Sequence, residues 1–165
     1  MPTDRSPFSF AALLRSLLTR PIEWACGLLM TALTVIVFLQ VITRYVIAYP
    51  WEWPEELARI LFVWLALLGA VLAFRKAGHF SIEVFVGLLP GPWRRGASML
   101  VRLSLLGFLL LVASLGLSAA IRGRDQRSTA MEISMTFGYA AVPVSFLCMA
   151  LEMGRAVWRD LRGAA

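Results

Sequence analysis

Four uncharged, apolar runs recur along the chain, at residues 24–43, 60–74, 103–121 and 133–151. The first is 20 residues long, which at 1.5 Å per residue covers a hydrocarbon core of about 30 Å. The second is 15 residues, or about 22 Å, too short by itself, and its flanks extend it. Pro54 suits a first helical position, Glu55 and Glu56 complement the positive helix start, Arg75 and Lys76 complement the negative end, and Gly78 supplies a C-cap. The third run is 19 residues; if its helix starts near Pro92 it is roughly 30 residues and about 45 Å long, and has to tilt or surface at one end. The fourth, also 19 residues, has Pro143 near its middle. A proline there deprives the Tyr139 carbonyl of its usual donor and predicts a kink, read as packing geometry in preference to a gating hinge. The pattern predicts an all-α integral membrane protein with four transmembrane helices, at about 24–45, 54–76, 97–121 and 133–154, in one membrane domain over residues 22–158.

Short amphipathic stretches flank these spans. In the leader, residues 1–21, apolar side chains at 10, 13, 14, 17 and 18 follow helical spacing among Arg5, Arg15 and Arg20. They predict either a helix lying on the membrane or a disordered basic leader that sets topology. Ile82, Phe85, Val86 and Leu89 share one face between Gly78 and Pro90, which predicts a short interfacial helix over 80–89. Residues 159–165 form a basic tail. The first apolar run begins late and no small-residue cleavage pattern follows a short one, so the N-terminus is expected to be retained.

Composition sharpens this picture. Hydrophobic residues make up 59% and mean hydropathy is +0.75, well above the roughly 45–50% apolar content of soluble domains. The net charge of +6 would suggest nucleic acid in a soluble protein. Here the basic residues cluster at the ends of apolar runs, which points to membrane lipids instead, and no nucleic-acid partner is expected. With both termini inside, eleven Lys and Arg fall on the inner side and five on the outer, so both termini are expected in the cytoplasm. Cys26 and Cys148 lie within apolar runs, without metal or redox spacing, and read as small core residues.

The missing chemistry is informative. The four runs contain no Asp, Glu, Lys, Arg or His. An intramembrane charge costs at least about 2.5–3.5 kcal/mol and usually marks an ion site or proton relay. No paired Gly or Pro breaks suggest the discontinuous helices of transporter substrate sites. His79 is the sole histidine, too few for a bis-histidine haem, and no Cys/His cluster has metal spacing. No catalytic residues, cofactor or metal are expected, so the chain is not read as an enzyme and is expected to work with a partner. Small residues in the second span (Ala66, Gly69, Ala70, Ala73) and third span (Ser104, Gly107, Ser114, Ser118, Ala119) allow close helix packing, chiefly within the chain.

Polar residues gather instead at one hairpin, between the first and second spans. Gln40 and Arg44 share a helix face, as do Glu55 and Arg59. Across a tight turn Arg44 could reach Glu55 or Glu56, and Gln40 lies one turn deeper, where an unpaired amide is costly. Tyr45, Tyr49, Trp51 and Trp53 read as an interfacial aromatic belt above which Arg44 snorkels. The belt explains the aromatics; Gln40 and the doubled carboxylate suggest a hydrogen-bonded network, within the hairpin or to a neighbouring subunit.

These residues resemble the small membrane subunits of tripartite ATP-independent periplasmic (TRAP) transporters, the DctQ family. The matching features are Gln40-x-x-x-Arg44-Tyr45, Pro50-x-x-Trp53-x-Glu55-Glu56-Leu57-Ala58-Arg59, Phe62-x-Trp64 and Gly69-Ala70. Arg75-x-x-Gly78-His79, Ile82-Glu83-Val84 leading to Leu89-Pro90, and Tyr139-Ala140-Ala141-Val142-Pro143 continue the series. Pro54 departs from the usual Ser or Thr before the paired Glu, and residues 131–136 lack the Pro that commonly precedes the last span. The resemblance implies a scaffold subunit of a sodium-coupled organic-acid importer in a bacterial inner membrane. Its implied partners are a large DctM-type membrane subunit, which carries the sodium and substrate sites, and a periplasmic solute-binding protein. On that reading Gln40, Arg44, Tyr45, Trp53, Glu55, Glu56 and Arg59 form a structural or interface network. Glu52, Arg122, Arg124, Asp125 and Arg127 become candidates for docking the binding protein. Two other classes stay open at the level of sequence: a membrane anchor of a redox complex, and a small exporter acting alone as a homodimer.

Overall fold

The computed structural model describes residues 20–47, 49, 51–86 and 91–163, with side chains described except at 77–86, 91–95, 160, 161 and 163. Apart from Arg20 and Pro21, the leader lies outside the described residues. Four helices are long and apolar enough to cross a membrane. They are α1 (Pro21–Tyr45), α2 (Trp53–Val86), α3 (Gly91–Arg122) and α5 (Ala141–Gly163), the last preceded by a single turn, α4 (Thr136–Tyr139). The protein is an all-α, multi-pass membrane protein.

α1 opens on Pro21, where the missing N–H costs nothing, and Glu23 pairs with Arg20 at 3.3 Å in its first turn. Its one fully buried residue among those described is Thr43. Leu28, Val35 and Phe38 are exposed, as a lipid-facing helix requires. α1 lies along α2; α2 also contacts α5, and α5 packs most extensively against α3. The order across the bundle is therefore α1, α2, α5, α3.

The core sits between α2, α3 and α5, where Val71, Leu109, Met149, Ala150, Met153 and Val157 are buried together. In lipid this cluster holds by close van der Waals packing rather than by exclusion of water. Cys148 lies against it, half-buried, and Cys26 is half-buried in α1; both are free thiols.

Two expectations are corrected along α2 and α5. The C-cap at Gly78 does not form, because α2 continues through Gly78 and His79 to Val86 as a helix of 34 residues. The stretch from Phe80 to Val86 is helical as anticipated, but it extends α2 and is not a separate element; residues 87–90 lie outside the described residues. Pro143 does not sit mid-helix. It is the third residue of α5, where its absent N–H meets the break after Tyr139, and the Ala140 carbonyl accepts from the Val144 N–H at 3.2 Å just beyond.

The small-residue stripes are also corrected. Ala66, Ala70, Ala73, Ser104, Gly107, Ser114 and Ser118 are exposed, and Gly69 and Gly107 have open space where a Cβ would be. The seam that joins α3 to α5 uses Ala113, Gly116 and Ala120, all buried. A Cβ on Gly116 would lie 2.8 Å from Val142 Cγ1 and 3.0 Å from Pro143 Cδ.

At the end of the bundle opposite the first hairpin, Arg75 of α2 pairs with Glu152 of α5 at 2.7 Å, and Arg155 approaches the same carboxylate at 3.7 Å. These side chains retain 39% and 28% exposure for the Arg75–Glu152 pair, so solvent screens the pair substantially. A double-mutant cycle with Arg75→Met and Glu152→Leu, read by thermal unfolding in detergent, is expected to give a coupling of about 1 kcal/mol or less. A coupling well above that would show that the pair is sealed from water.

Candidate functional site

The candidate site is the rim formed at the other end, where the hairpin between α1 and α2 meets the loop between α3 and α4. The hairpin closes through its backbone. The Ile47 N–H bonds the Ile42 carbonyl at 3.2 Å and the Tyr49 N–H bonds the Thr43 carbonyl at 3.2 Å. The buried Thr43 hydroxyl donates to the Gln40 carbonyl at 3.0 Å. Pro54, second residue of α2, is fully buried, so it packs the entrance of the helix where a Ser or Thr would have capped it. Trp51 stacks on Trp53 with ring centroids 6.1 Å apart.

The paired carboxylates divide. Glu55 stays on its own helix, 3.5 Å from Arg59, with both side chains mostly exposed. Glu56 leaves the hairpin altogether. Its Oε2 accepts the backbone N–H groups of Ala130 at 3.1 Å and Met131 at 3.3 Å, more than seventy residues away in sequence. A carboxylate receiving two backbone amides is a charge-assisted contact, and it fixes the loop to the first turn of α2.

The loop is built to meet it. Ser128 is buried; its N–H bonds the Ile133 carbonyl at 2.9 Å, and its hydroxyl accepts from the Met131 N–H at 3.4 Å. Arg127 and Ser134 form an antiparallel bridge, and Glu132 adopts a positive φ of 54° to turn the chain between them. The Arg127 guanidinium donates to the Glu132 carbonyl at 3.3 Å. Ser134 and Thr136 then tie the loop to α3: the Ser134 hydroxyl bonds the Arg124 carbonyl at 3.2 Å and the Thr136 hydroxyl the Ala120 carbonyl at 3.1 Å. The Ala120 carbonyl is one of the last four of α3, which have no intrahelical donor, and the Arg124 carbonyl lies two residues beyond the helix end. The Trp64 indole N–H donates to the Phe137 carbonyl at 2.9 Å, one more strut between α2 and α4.

The structure therefore brings Glu56 and the loop together and leaves other residues of the anticipated network apart. Arg44 is exposed and makes no ion pair among the described residues; of the two readings left open for it, the contact with Glu55 or Glu56 within the chain does not form. Gln40 is half-buried, and it joins the hairpin through its backbone carbonyl, which accepts the Thr43 hydroxyl. Tyr45, Trp53, Glu52, Arg122, Arg124, Asp125 and Arg127 are exposed along the rim. Sequence reasoning missed Ser128, Ser134, Thr136 and the role of Trp64. Ser134 and Thr136 lie inside the fourth apolar run, where they read as part of the span; nothing in the chain's spacing pointed from Glu56 to residue 130.

The arrangement is an exposed charged rim held on four helices. The family model described as "Tripartite ATP-independent periplasmic transporters, DctQ component" matches residues 33–163. The sialic acid TRAP transporter small permease protein SiaQ of Vibrio cholerae is 29% identical over 121 residues, 73% of this chain and 70% of that protein. The C4-dicarboxylate TRAP transporter small permease protein DctQ of Rhodobacter capsulatus is 33% identical over 100 residues, 58% of this chain and 44% of that protein. The sialic acid TRAP transporter permease protein SiaT of Haemophilus influenzae is 31% identical over 127 residues, 77% of this chain. The chain spans 21% of the length of SiaT.

Proposed function

The chain belongs to the DctQ-component family of tripartite ATP-independent periplasmic transporters, and from that premise we propose that it is the non-catalytic scaffold subunit of a sodium-coupled importer of organic acids. In this reading it assembles with a large DctM-type permease subunit and receives substrate from a periplasmic solute-binding protein. It sits in a bacterial inner membrane with both termini in the cytoplasm, so the rim closed by Glu56 faces outward.

The observation that carries the scaffold assignment is the absence of Asp, Glu, Lys, Arg and His from residues 24–43, 60–74, 103–121 and 133–151. A chain without a buried charge has no evident place to couple ion movement to substrate, so that work falls to the partner. SiaT, of which the aligned region is about one fifth, is named as a permease, which fits a small unit acting beside a larger one. Sialic acid and C4-dicarboxylates, named for two relatives, are both carboxylates, which supports the organic-acid class. The rim supplies a rigid charged surface suited to a soluble partner, with Glu52, Arg122, Arg124, Asp125 and Arg127 as its exposed docking residues.

The test is expression beside its neighbouring reading frames, followed by purification and reconstitution in liposomes. A large permease should co-purify, and uptake should require a sodium gradient and a secreted binding protein. Transport by this chain alone, or the absence of any large permease partner, would end this reading.

Arg44 gives a second, narrower test. It has no ion pair among the described residues, so Arg44→Ala is expected to change the stability of the isolated subunit by no more than about 0.5 kcal/mol. Co-purification with the large subunit should fall in the same variant. Normal assembly and normal uptake would remove Arg44 from the interface.

A further inference from the structure

Beside the α3–α5 seam runs an apolar groove of about 620 Å³. Leu110, Leu117, Val144 and Leu147 form its exposed walls, and the buried Ala113 and Ala120 lie at its floor. Arg124 stands at its outer end and has no ion pair among the described residues. We propose that this groove is a phospholipid site: one acyl chain lies in the groove and the lipid phosphate rests on the Arg124 guanidinium.

Three features select this occupant. The first is length. From Leu110 to Ile121 the groove follows α3 for about 17 Å, close to the roughly 15 Å of a single leaflet's hydrocarbon. The second is its lining. The walls are almost wholly apolar side chains of α3 and α5, so a hydrocarbon chain meets them without leaving a polar group unpaired, and at this depth no water competes for an apolar cleft. The third is charge. An apolar groove alone does not distinguish a bound lipid from bulk lipid. A guanidinium at its headgroup end does, because it matches phosphate oxygens in a two-pronged, charge-assisted contact.

Arg122 provides the control. It lies at the same end, is likewise exposed, and does not line the groove. The full chain, with any permease that co-purifies, would be exchanged into detergent containing dioleoyl phosphatidylglycerol or uncharged dioleoylglycerol and weighed by native mass spectrometry. Retention of phosphatidylglycerol and release of dioleoylglycerol are expected. Arg124→Gln should lower phosphatidylglycerol occupancy by about fivefold, whereas Arg122→Gln should leave it unchanged. Ser114→Trp fills the groove from an exposed position and should abolish retention. If that variant fails to fold, the two arginine variants decide. Equal occupancy in Arg124→Gln and Arg122→Gln, or equal retention of the two lipids, would overturn the proposal. So would efficient cross-linking of the Ser114→Cys variant to a helix of the large subunit, since the occupant would then be protein.

Discussion

Glu56→Ala is expected to release the loop at residues 123–135 from α2, with the backbone amides of Ala130 and Met131 losing their protection first. Both N–H groups now point at one carboxylate oxygen, at 3.1 and 3.3 Å. Alanine leaves the Ala130 N–H to water and the Met131 N–H with the Ser128 hydroxyl alone at 3.4 Å, so hydrogen exchange should quicken roughly tenfold at Ala130 and by less at Met131, as expected for the loss of a charge-assisted acceptor. Glu56→Gln keeps an amide oxygen at the same reach but removes the charge, so its effect should be smaller. Glu55→Ala is the internal control: Glu55 touches Arg59 on its own helix, and exposed pairs at that spacing contribute about 0.3–0.5 kcal/mol. If the rim docks a binding protein, Glu56→Ala should also raise the concentration of that protein needed for half-maximal uptake, while saturated uptake stays near its normal rate. Unchanged exchange at Ala130 and Met131 in Glu56→Ala would show that the loop holds itself without α2.

The second large effect is expected at Gly116. Its Cβ position is occupied on one side by Val142 Cγ1 at 2.8 Å and on another by the Pro143 ring and nitrogen at 3.0 and 3.2 Å. Neither neighbour yields easily, because valine is stiff at χ1 and the proline atoms belong to the backbone ring. Gly116→Leu should force α3 away from α5 and cost about 1–3 kcal/mol or more. Gly107 on the same helix has open space at its Cβ, so Gly107→Ala should be neutral or stabilising by about 0.5–1 kcal/mol, the ordinary gain of Ala over Gly in a helix. Thermal unfolding of both variants in detergent separates the two cases. A Gly116→Leu protein that melts with Gly107→Ala would mean the seam is not close-packed.

Of the candidate site, sequence disclosed the components better than the connections. The length of each apolar run and the charges closing it located four spans, since both signals are local: an apolar run must be long enough for the bilayer, and its ends must reach water. The same logic placed Glu55 beside Arg59, four residues on along one helix. It stopped at Gly78, where a local capping signal was outweighed and α2 ran on to Val86. It also misjudged which small residues pack. Glycine and alanine at Gly69, Ala70 and Gly107 look as suitable as those at Ala113, Gly116 and Ala120, and only the direction each faces in the bundle separates them.

What the chain determined by itself, then, is that this is a four-span membrane protein with no charge inside its apolar runs and a polar rim at one end. Those follow from the cost of placing charge in hydrocarbon, which acts on each segment separately. The tertiary structure decided that Glu56 serves the second loop rather than the first hairpin, that Arg44 has no ion-pair partner among the described residues, that Gly116 is a point of close approach between helices, and that α3 and α5 leave a leaflet-deep groove between them. Each of these depends on how the helices rotate about their axes, and rotation is set by side chains meeting across more than twenty residues of sequence, where no local pattern reaches.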